Sequence, residues 1–398
     1  MPWSLTSPMD QKMLFLTDCV RELIPIAESC RRYGISRKTG YKWIERFKEH
    51  GSQGLLDRSR RPHHLARSTP QEIIERILEA RRHHPNWGAK KLLWLLAKQF
   101  PGMSLPPRST VCDILKRHGL VPPIRKRRRL DHPGRPMTPM IAPNDIWTAD
   151  YKGHFKTVDG LYCYPLTVAD GFSRYLFDVR AFLSPAHEFT QPVFERLFQE
   201  YGLPKMIRTD NGAPFATTAI GRLSRLSVWW VRLGIFPELI EPAHPEQNGR
   251  HERMHRTLKA ETVRPPAADK QIQQDRFDDF RQRYNYERPH EALGQQTPAS
   301  VYQPSGRAFP SRLPKIEYPG HFEVRRVSRN GGVRWNSQWV CVSHVLGEEY
   351  VGFEEVDDGL WEVFYGPVRL GRFDERDSKI EDDRGRKYRK NVLPMSPD

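Results

Sequence analysis

The stretch Asp145-Ile-Trp-Thr-Ala-Asp-Tyr151 alternates apolar and polar side chains and brings a carboxylate, Asp150, to its end. Alternation with a period of two marks a strand with one face in the core. Downstream, Tyr162-Cys-Tyr-Pro-Leu-Thr-Val-Ala-Asp170 and the run from Arg174 to Phe182 predict two more strands, with a turn beginning at Gly160. The spacing of Phe189, Val193, Phe194, Leu197 and Phe198 predicts a helix over 187–201. Lys205-Met-Ile-Arg-Thr-Asp210 and residues 236–241 predict a fourth and a fifth strand with a helical stretch between them, and a long helix follows Gln247-Asn-Gly249. Three consecutive strands followed by helix–strand alternation predict a mixed five-stranded sheet with helices on both faces.

The sequence on either side of this frame has a different character. Residues 24–44 read as helix, Gly34 turn, Ser36 cap and second helix, the helix-turn-helix pattern. Arg37, Lys38 and Lys42 lie on that second helix, where they reach phosphates or base edges. A second helical module runs from Pro70 to Val121, and its last helix, with Arg108 in its first turn, is expected to be a capped recognition helix ending at Gly119. The run Arg125-Lys-Arg-Arg-Arg129 (Arg125, Lys126, Arg127, Arg128, Arg129) is flanked by prolines and reads as a linker that neutralises DNA phosphates. From Tyr318 onward, five or six short strands with Asn330-Gly331 and Asp358-Gly359 turns predict a small antiparallel β-barrel. Its positive edge is expected from Arg325, Arg326, Arg329 and Arg334. The expected divisions are 1–56 and 57–121 (helical), 122–140 (linker), 141–305 (α/β core), 315–375 (barrel) and 376–398 (disordered tail).

Charge supports a nucleic-acid partner. The chain has 398 residues and a formal net charge of +16, and the whole surplus lies in residues 1–140, the remainder being balanced. Such asymmetry points to a polyanion held by the N-terminal region. Apolar runs are too short to span a bilayer, and the first residues lack a signal-peptide pattern. Five scattered cysteines without a CxxC pair argue against a disulfide scaffold. A cytoplasmic, nucleoid-associated protein is expected. The pairs His63-His64 and His83-His84 have no cysteine partners at ligand spacing, so no zinc site is expected from them.

Three carboxylates carry the chemistry: Asp150, Asp210 in the Asp-Asn-Gly turn, and Glu252 on the helix after Asn248-Gly249. Acids gathered without matching bases repel one another and require cations. Two Mg²⁺ ions about 4 Å apart satisfy three carboxylates and leave positions for water and phosphate oxygens. Asp145, Asp159 and Asp170 read as structural acids, Asp170 being the nearest to a supporting role. Trp147-Thr-Ala-Asp150, Asp210-Asn-Gly and Asn248-Gly-Arg-His-Glu-Arg-Met-His-Arg-Thr-Leu-Lys259 resemble the motifs of insertion-sequence transposases of the retroviral-integrase superfamily.

That resemblance implies a ribonuclease H-like core, Asp150, Asp210 and Glu252 as catalytic metal ligands, and Mg²⁺ with Mn²⁺ as its substitute. It also implies double-stranded DNA as partner and a small DNA-binding barrel at the C-terminus. Joining two DNA ends requires at least a dimer. Forty-one residues separate Asp210 from Glu252 and thirty-five separate it from Glu246. The family's usual spacing fits Glu246, whereas the local motif fits Glu252, which the helical periodicity sets beside His255, Arg256 and Lys259. Arg256 and Lys259 are therefore expected to hold DNA phosphates. A metal-dependent nuclease without joining activity and a helix-turn-helix transcription regulator are the rival readings.

Overall fold

The computed structural model describes residues 7–21, 24–57, 69–121, 137–151, 153–242, 244–382 and 385. The chain divides into two compact units, Met1–Thr69 and Pro70–Asp398. The first is a three-helix unit: α1 (Pro8–Val20), α2 (Ile26–Arg32) and α3 (Arg37–His50). Gly34 takes φ +63° in the turn between α2 and α3, and the Ser36 hydroxyl accepts from the Thr39 N–H, 3.2 Å away. Both features stand where the sequence puts them. Phe15, Leu16, Cys30, Trp43 and Leu55 form the core. The two helices approach so closely that a Cβ on Gly40 would sit 2.5 Å from the Cys30 sulfur.

The second unit begins with α4 (Gln71–His83), α5 (Ala89–Gln99) and α6 (Arg108–Arg117), packed through Ile77, Leu92, Leu96, Val111 and Ile114. Helix α6 starts after Pro107 with no side-chain hydrogen bond at its cap, contrary to the capped start expected, because proline stands at the cap position with extended backbone and has no side-chain oxygen to accept. This helical module belongs to the same compact unit as the α/β core.

The core strands are β1 (Ile146–Tyr151), β2 (Phe155–Lys156), β3 (Tyr162–Asp170) and β4 (Leu176–Phe182), followed by α7 (His187–Tyr201), β5 (Met206–Thr209), α8 (Arg225–Arg232), β6 (Phe236–Leu239), α9 (Gly249–Thr262), α10 (Lys270–Gln282) and α11 (Pro298–Val301). The main path is β4-β3-β1-β5-β6. The first three strands are antiparallel neighbours, and β1, β5 and β6 run parallel. A sixth strand, the two-residue β2, pairs with the start of β3 and adds to the five expected. Alternation along the strands divides the core in two. Trp147, Ala149, Leu166 and Phe177 pack with α7 and α8 on one face. Leu176, Val179 and Ala181 pack with Met254, Leu258, Phe277 and Phe280 of α9 and α10 on the other.

The C-terminal region departs from the expected barrel. Strands β7 (Glu323–Arg326), β8 (Gly332–Trp335), β9 (Gln338–Cys341), β10 (Tyr350–Asp357), β11 (Leu360–Tyr365), β12 (Val368–Asp374) and β13 (Lys379–Glu381) form an open five-stranded sheet, β13-β12-β11-β10-β7, and a separate β8-β9 hairpin. The ladder does not close because β8 leaves β7 to pair with β9 alone. One apolar cluster joins Val333, Phe353 and Phe373 to Ile220, Leu223, Val228 and Val231, so the sheet shares a core with α8. Strand β13 lies inside the stretch expected to be a disordered tail, with Ile380 fully buried. Three arginines of the expected positive edge are paired, Arg325 with Glu323 and both Arg326 and Arg329 with Glu348, while Arg334 on β8 is exposed.

Candidate active site

Strands β1 and β5 run side by side with Ala149 in register with Thr209. Asp150 and Asp210 each follow that pair by one residue. Two neighbouring parallel strands therefore present carboxylates at the same level, on backbones about 4.8 Å apart. Trp147 and Ala149 face α7 and α8, so alternation turns Thr148 and Asp150 to the opposite face. On β5, Ile207 lies in that same core cluster, and Arg208 and Asp210 point the other way.

Helix α9 is laid across this opposite face. The Thr148 hydroxyl is 2.8 Å from His251 Nδ1. Thr167, in register with Asp150 on β3, has its hydroxyl 2.7 Å from Nε2 of both His251 and His255. On β5, Arg208 donates to the Gln247 carbonyl just before α9 and forms a 2.6 Å ion pair with Glu238. Glu252 follows His251 in the first turn of α9 and is exposed, as are Arg256 and Lys259. His255 does not share that exposure. It is buried against Asp150, which corrects the expectation of one mixed face carrying all four residues. Glu246 occupies the turn before the helix, with Oε1 2.9 Å from His244 Nδ1.

The donor chemistry at this face suits a divalent cation. Among the described residues, Asp150, His251 and His255 have ligand atoms all within 4.8 Å of one another, whereas Asp210 and Glu252 fall outside that cluster. Asp150 Oδ2 and His255 Nδ1 are 3.6 Å apart, too far for a hydrogen bond and close enough for two ligands of one ion. The buried carbonyl oxygens of Asn211 and Asn248, which flank Asp210 and the start of α9, have no hydrogen-bond partner. The Gln247 Nε2 donor beside Asn248 is likewise unpartnered, and Asp210 Oδ1 accepts from the Gly212 N–H at 3.1 Å.

The neighbouring acids have structural work. Asp170 accepts from the Asn144 N–H (2.8 Å) and from the Ser173 N–H and hydroxyl (2.7 and 2.6 Å); burial pushes its carboxyl above the usual range. Burial also pushes Asp145 upward, but hydrogen bonds from Lys205 and the Ala142 N–H outweigh it and hold the carboxyl below its ordinary value. Asp159 closes its own turn by accepting from the Leu161 N–H at 3.2 Å.

Residues 141–245 and 233–298 match families described as integrase core domain, and residues 10–56 and 39–115 match families described as homeodomain-like domain. The chain is thus similar to integrase cores and to insertion-element proteins. It is 27% identical over 234 residues to the uncharacterized 39.2 kDa protein of insertion element IS476 of Xanthomonas euvesicatoria, a match covering 58% of this chain and 64% of that protein. It is 24% identical over 287 residues to the 31.7 kDa protein of insertion element IS407 of Burkholderia multivorans, covering 70% of this chain and 92% of that one. The catalytic core domain of HTLV-2 integrase in complex with magnesium aligns at 16% identity over 41% of this chain and 99% of its own, with a TM-score of 0.30.

Of the basic residues expected on DNA, the chain exposes Arg37, Lys38 and Lys42 on α3, Arg108 at the start of α6, and Arg256 and Lys259 on α9. Arg125, Lys126, Arg127, Arg128 and Arg129 lie outside the described residues. In the second module His84 stacks on Trp87, with ring centroids 3.9 Å apart. Sequence reading missed the Thr148–His251 and Thr167–His255 contacts. The available signal was the i, i+4 spacing of His251 and His255 around buried Met254, which marks them as one inward stripe of α9.

Proposed function

We propose that the protein is a DNA transposase whose metal ligands are Asp150, Asp210 and Glu252. The observation that carries this reading is the register of β1 with β5, which puts Asp150 and Asp210 level on the face crossed by α9. Divalent ions bound there supply Lewis-acid stabilisation and a nucleophile activated at neutral pH. The chain's own residues do the rest. Thr148 and Thr167 fix the two imidazoles behind Asp150, and Arg208 fixes the approach to α9 through Gln247. Arg256 and Lys259 hold phosphates beside Glu252, while α3 and α6 dock on double-stranded DNA and set which element end is presented. In the first reaction, water attacks the phosphodiester at the element end, the P–O bond breaks, and a 3′ hydroxyl leaves with a proton. In the second, that hydroxyl attacks a target phosphodiester, loses its proton, and a target 3′ hydroxyl is released. Bond count is conserved, so no outside energy source is needed. Joining both ends requires two such sites, hence at least a dimer on DNA. Glu252 is favoured over Glu246 because a helix holds a ligand more rigidly than a turn whose glutamate already pairs with His244.

Pre-cut element ends incubated with target DNA and Mg²⁺ test the assignment, with Asp210→Asn as control. Joined product from wild type alone is the expected result. Cleavage without joining turns the reading to a nuclease, and DNA binding with neither product turns it to a transcription regulator.

A further inference from the structure

Away from the carboxylates, α9 borders a second feature. A cavity of about 590 Å³ lies between α5, the β3–β4 turn, α9 and residues 284–292. Six cationic side chains line it: Lys91, Arg174, Arg250, Arg253, Arg256 and Arg288. Only two carboxylates face it, and both are engaged, Glu291 by Lys90 and Glu246 by His244. Arg288 is paired with Glu261, and Arg174 and Arg250 each donate to the Gly171 carbonyl. Among the described residues, Lys91, Arg253 and Arg256 make no ion pair and no side-chain hydrogen bond.

Arg250, Arg253 and Arg256 are exposed, whereas Lys91, Arg174 and Arg288 are half-buried, and cations held partly out of water beside one another cost free energy. The cost is visible here: burial, with Arg288 nearby, lowers the Lys91 ammonium to about 7, and burial beside Arg250 lowers Arg174 to about 10. His290, also on the lining, has a buried Nε2 with no hydrogen-bond partner. A fold that keeps such a cluster unsatisfied is preorganised for an anion.

We propose that this cleft is a phosphate seat for the DNA backbone, formed jointly by the second helical module and the core and separate from the carboxylate face. It rests on the transposase reading for the identity of the polymer and goes beyond it by assigning Lys91, Arg174 and Arg253 to DNA. On the wheel of α9, Arg250 and Arg253 lie on the flank away from Glu252 and Lys259, and Arg256 lies between the two flanks. DNA held in the seat therefore straddles α9, and the α4–α6 module is held against the strand being cut.

The test measures DNA affinity of the full chain against salt for wild type, Lys91→Gln and Arg253→Gln, together with thermal midpoints. Losing one phosphate contact lowers the slope of log affinity against log salt by about 0.9, so the wild-type advantage is about 3.5-fold larger at 50 mM than at 200 mM salt. Each variant is expected to show that loss. Lys91→Gln is also expected to keep or raise the thermal midpoint at pH 7, because it removes a desolvated charge. Exposed Arg253 reports on the seat even where Lys91→Gln disturbs folding. Unchanged slopes in both variants overturn the seat. So does a midpoint raised by inorganic phosphate in wild type but not in the variants, with DNA slopes equal, which assigns the cleft to a small anion. Joining activity is scored separately: slopes that fall in a protein unable to join ends keep the seat and remove the transposase reading, and the converse keeps the reading and removes the seat.

Discussion

Acidification should destabilise the second unit through one imidazole, His290. Burial, reinforced by Lys91, Arg288 and Arg174, lowers this histidine from an ordinary 6.5 to about 3. The folded chain keeps the ring neutral while the unfolded chain protonates it. A depressed folded value means that the stability is fully present above pH 6.5 and is lost as pH falls towards 3. Each unit inside that window costs about 1.36 kcal/mol. Between pH 7.5 and 4.5 the loss comes to about 2.5 kcal/mol, and it is nearly the same for any folded value below about 4, since the window is then set by the unfolded chain. His290→Gln removes the titration while keeping a side chain to fill the space beside Tyr284, whose ring centroid lies 4.9 Å away. Thermal midpoints of wild type and variant, followed over that range, should converge as pH falls by roughly 3–5 °C. The comparison is of slopes, so a constant packing penalty in the variant does not enter. Parallel lines would refute the reasoning.

Glu252→Gln should abolish end joining while leaving DNA binding intact, and Glu246→Gln should retain joining; the opposite pattern in a strand-transfer assay moves the third ligand into the turn. Thr167→Val removes the hydroxyl shared by His251 and His255 and should cost about 1–3 kcal/mol in denaturant unfolding, because two buried ring nitrogens lose their partner. Gly40→Val should unfold the three-helix unit selectively, since its Cβ alone meets the Cys30 sulfur at 2.5 Å; amide exchange in α2 and α3 reads this, and native protection in the variant would contradict it. Ser36→Ala should cost about 1 kcal/mol in the same unit through the lost cap to Thr39, measured by chemical unfolding.

Much of the core is legible because its strands carry one buried face. Trp147 and Ala149 alternate with Thr148 and Asp150, and the same rule on β5 sets Ile207 against Arg208 and Asp210; the helix over 187–201 is found at the predicted residues. Strand order, however, is a long-range property. The alternation in residues 323–374 predicts strands correctly and says nothing of whether the last one returns to the first, and here β7 and β13 remain open edges. Strand β13 itself has one apolar residue, Ile380, between Lys379 and Glu381, too little pattern to stand out from a charged tail. The contact of Thr167 with His255 joins residues 88 apart, and no local spacing carries it.

The distribution of charge follows from the same geometry. Helix α9 has three jobs on one cylinder. Its inward stripe of His251, Met254, His255 and Leu258 is buried against the sheet, one flank carries Glu252 and Lys259, and the other carries Arg250 and Arg253 on the cationic cleft. A residue count over 141–300 balances acids against bases and conceals this. Acids sit where strand ends converge and cations where α5 approaches α9, so a balanced domain still presents two oppositely charged sites. An anionic polymer crossing α9 meets cations on one flank and, on the other, carboxylates that repel it until bound metal reverses their charge. Affinity for DNA should therefore rise with divalent metal in the wild type and much less in Asp210→Asn, while the cleft contribution, read as salt slope at fixed metal, stays the same in both.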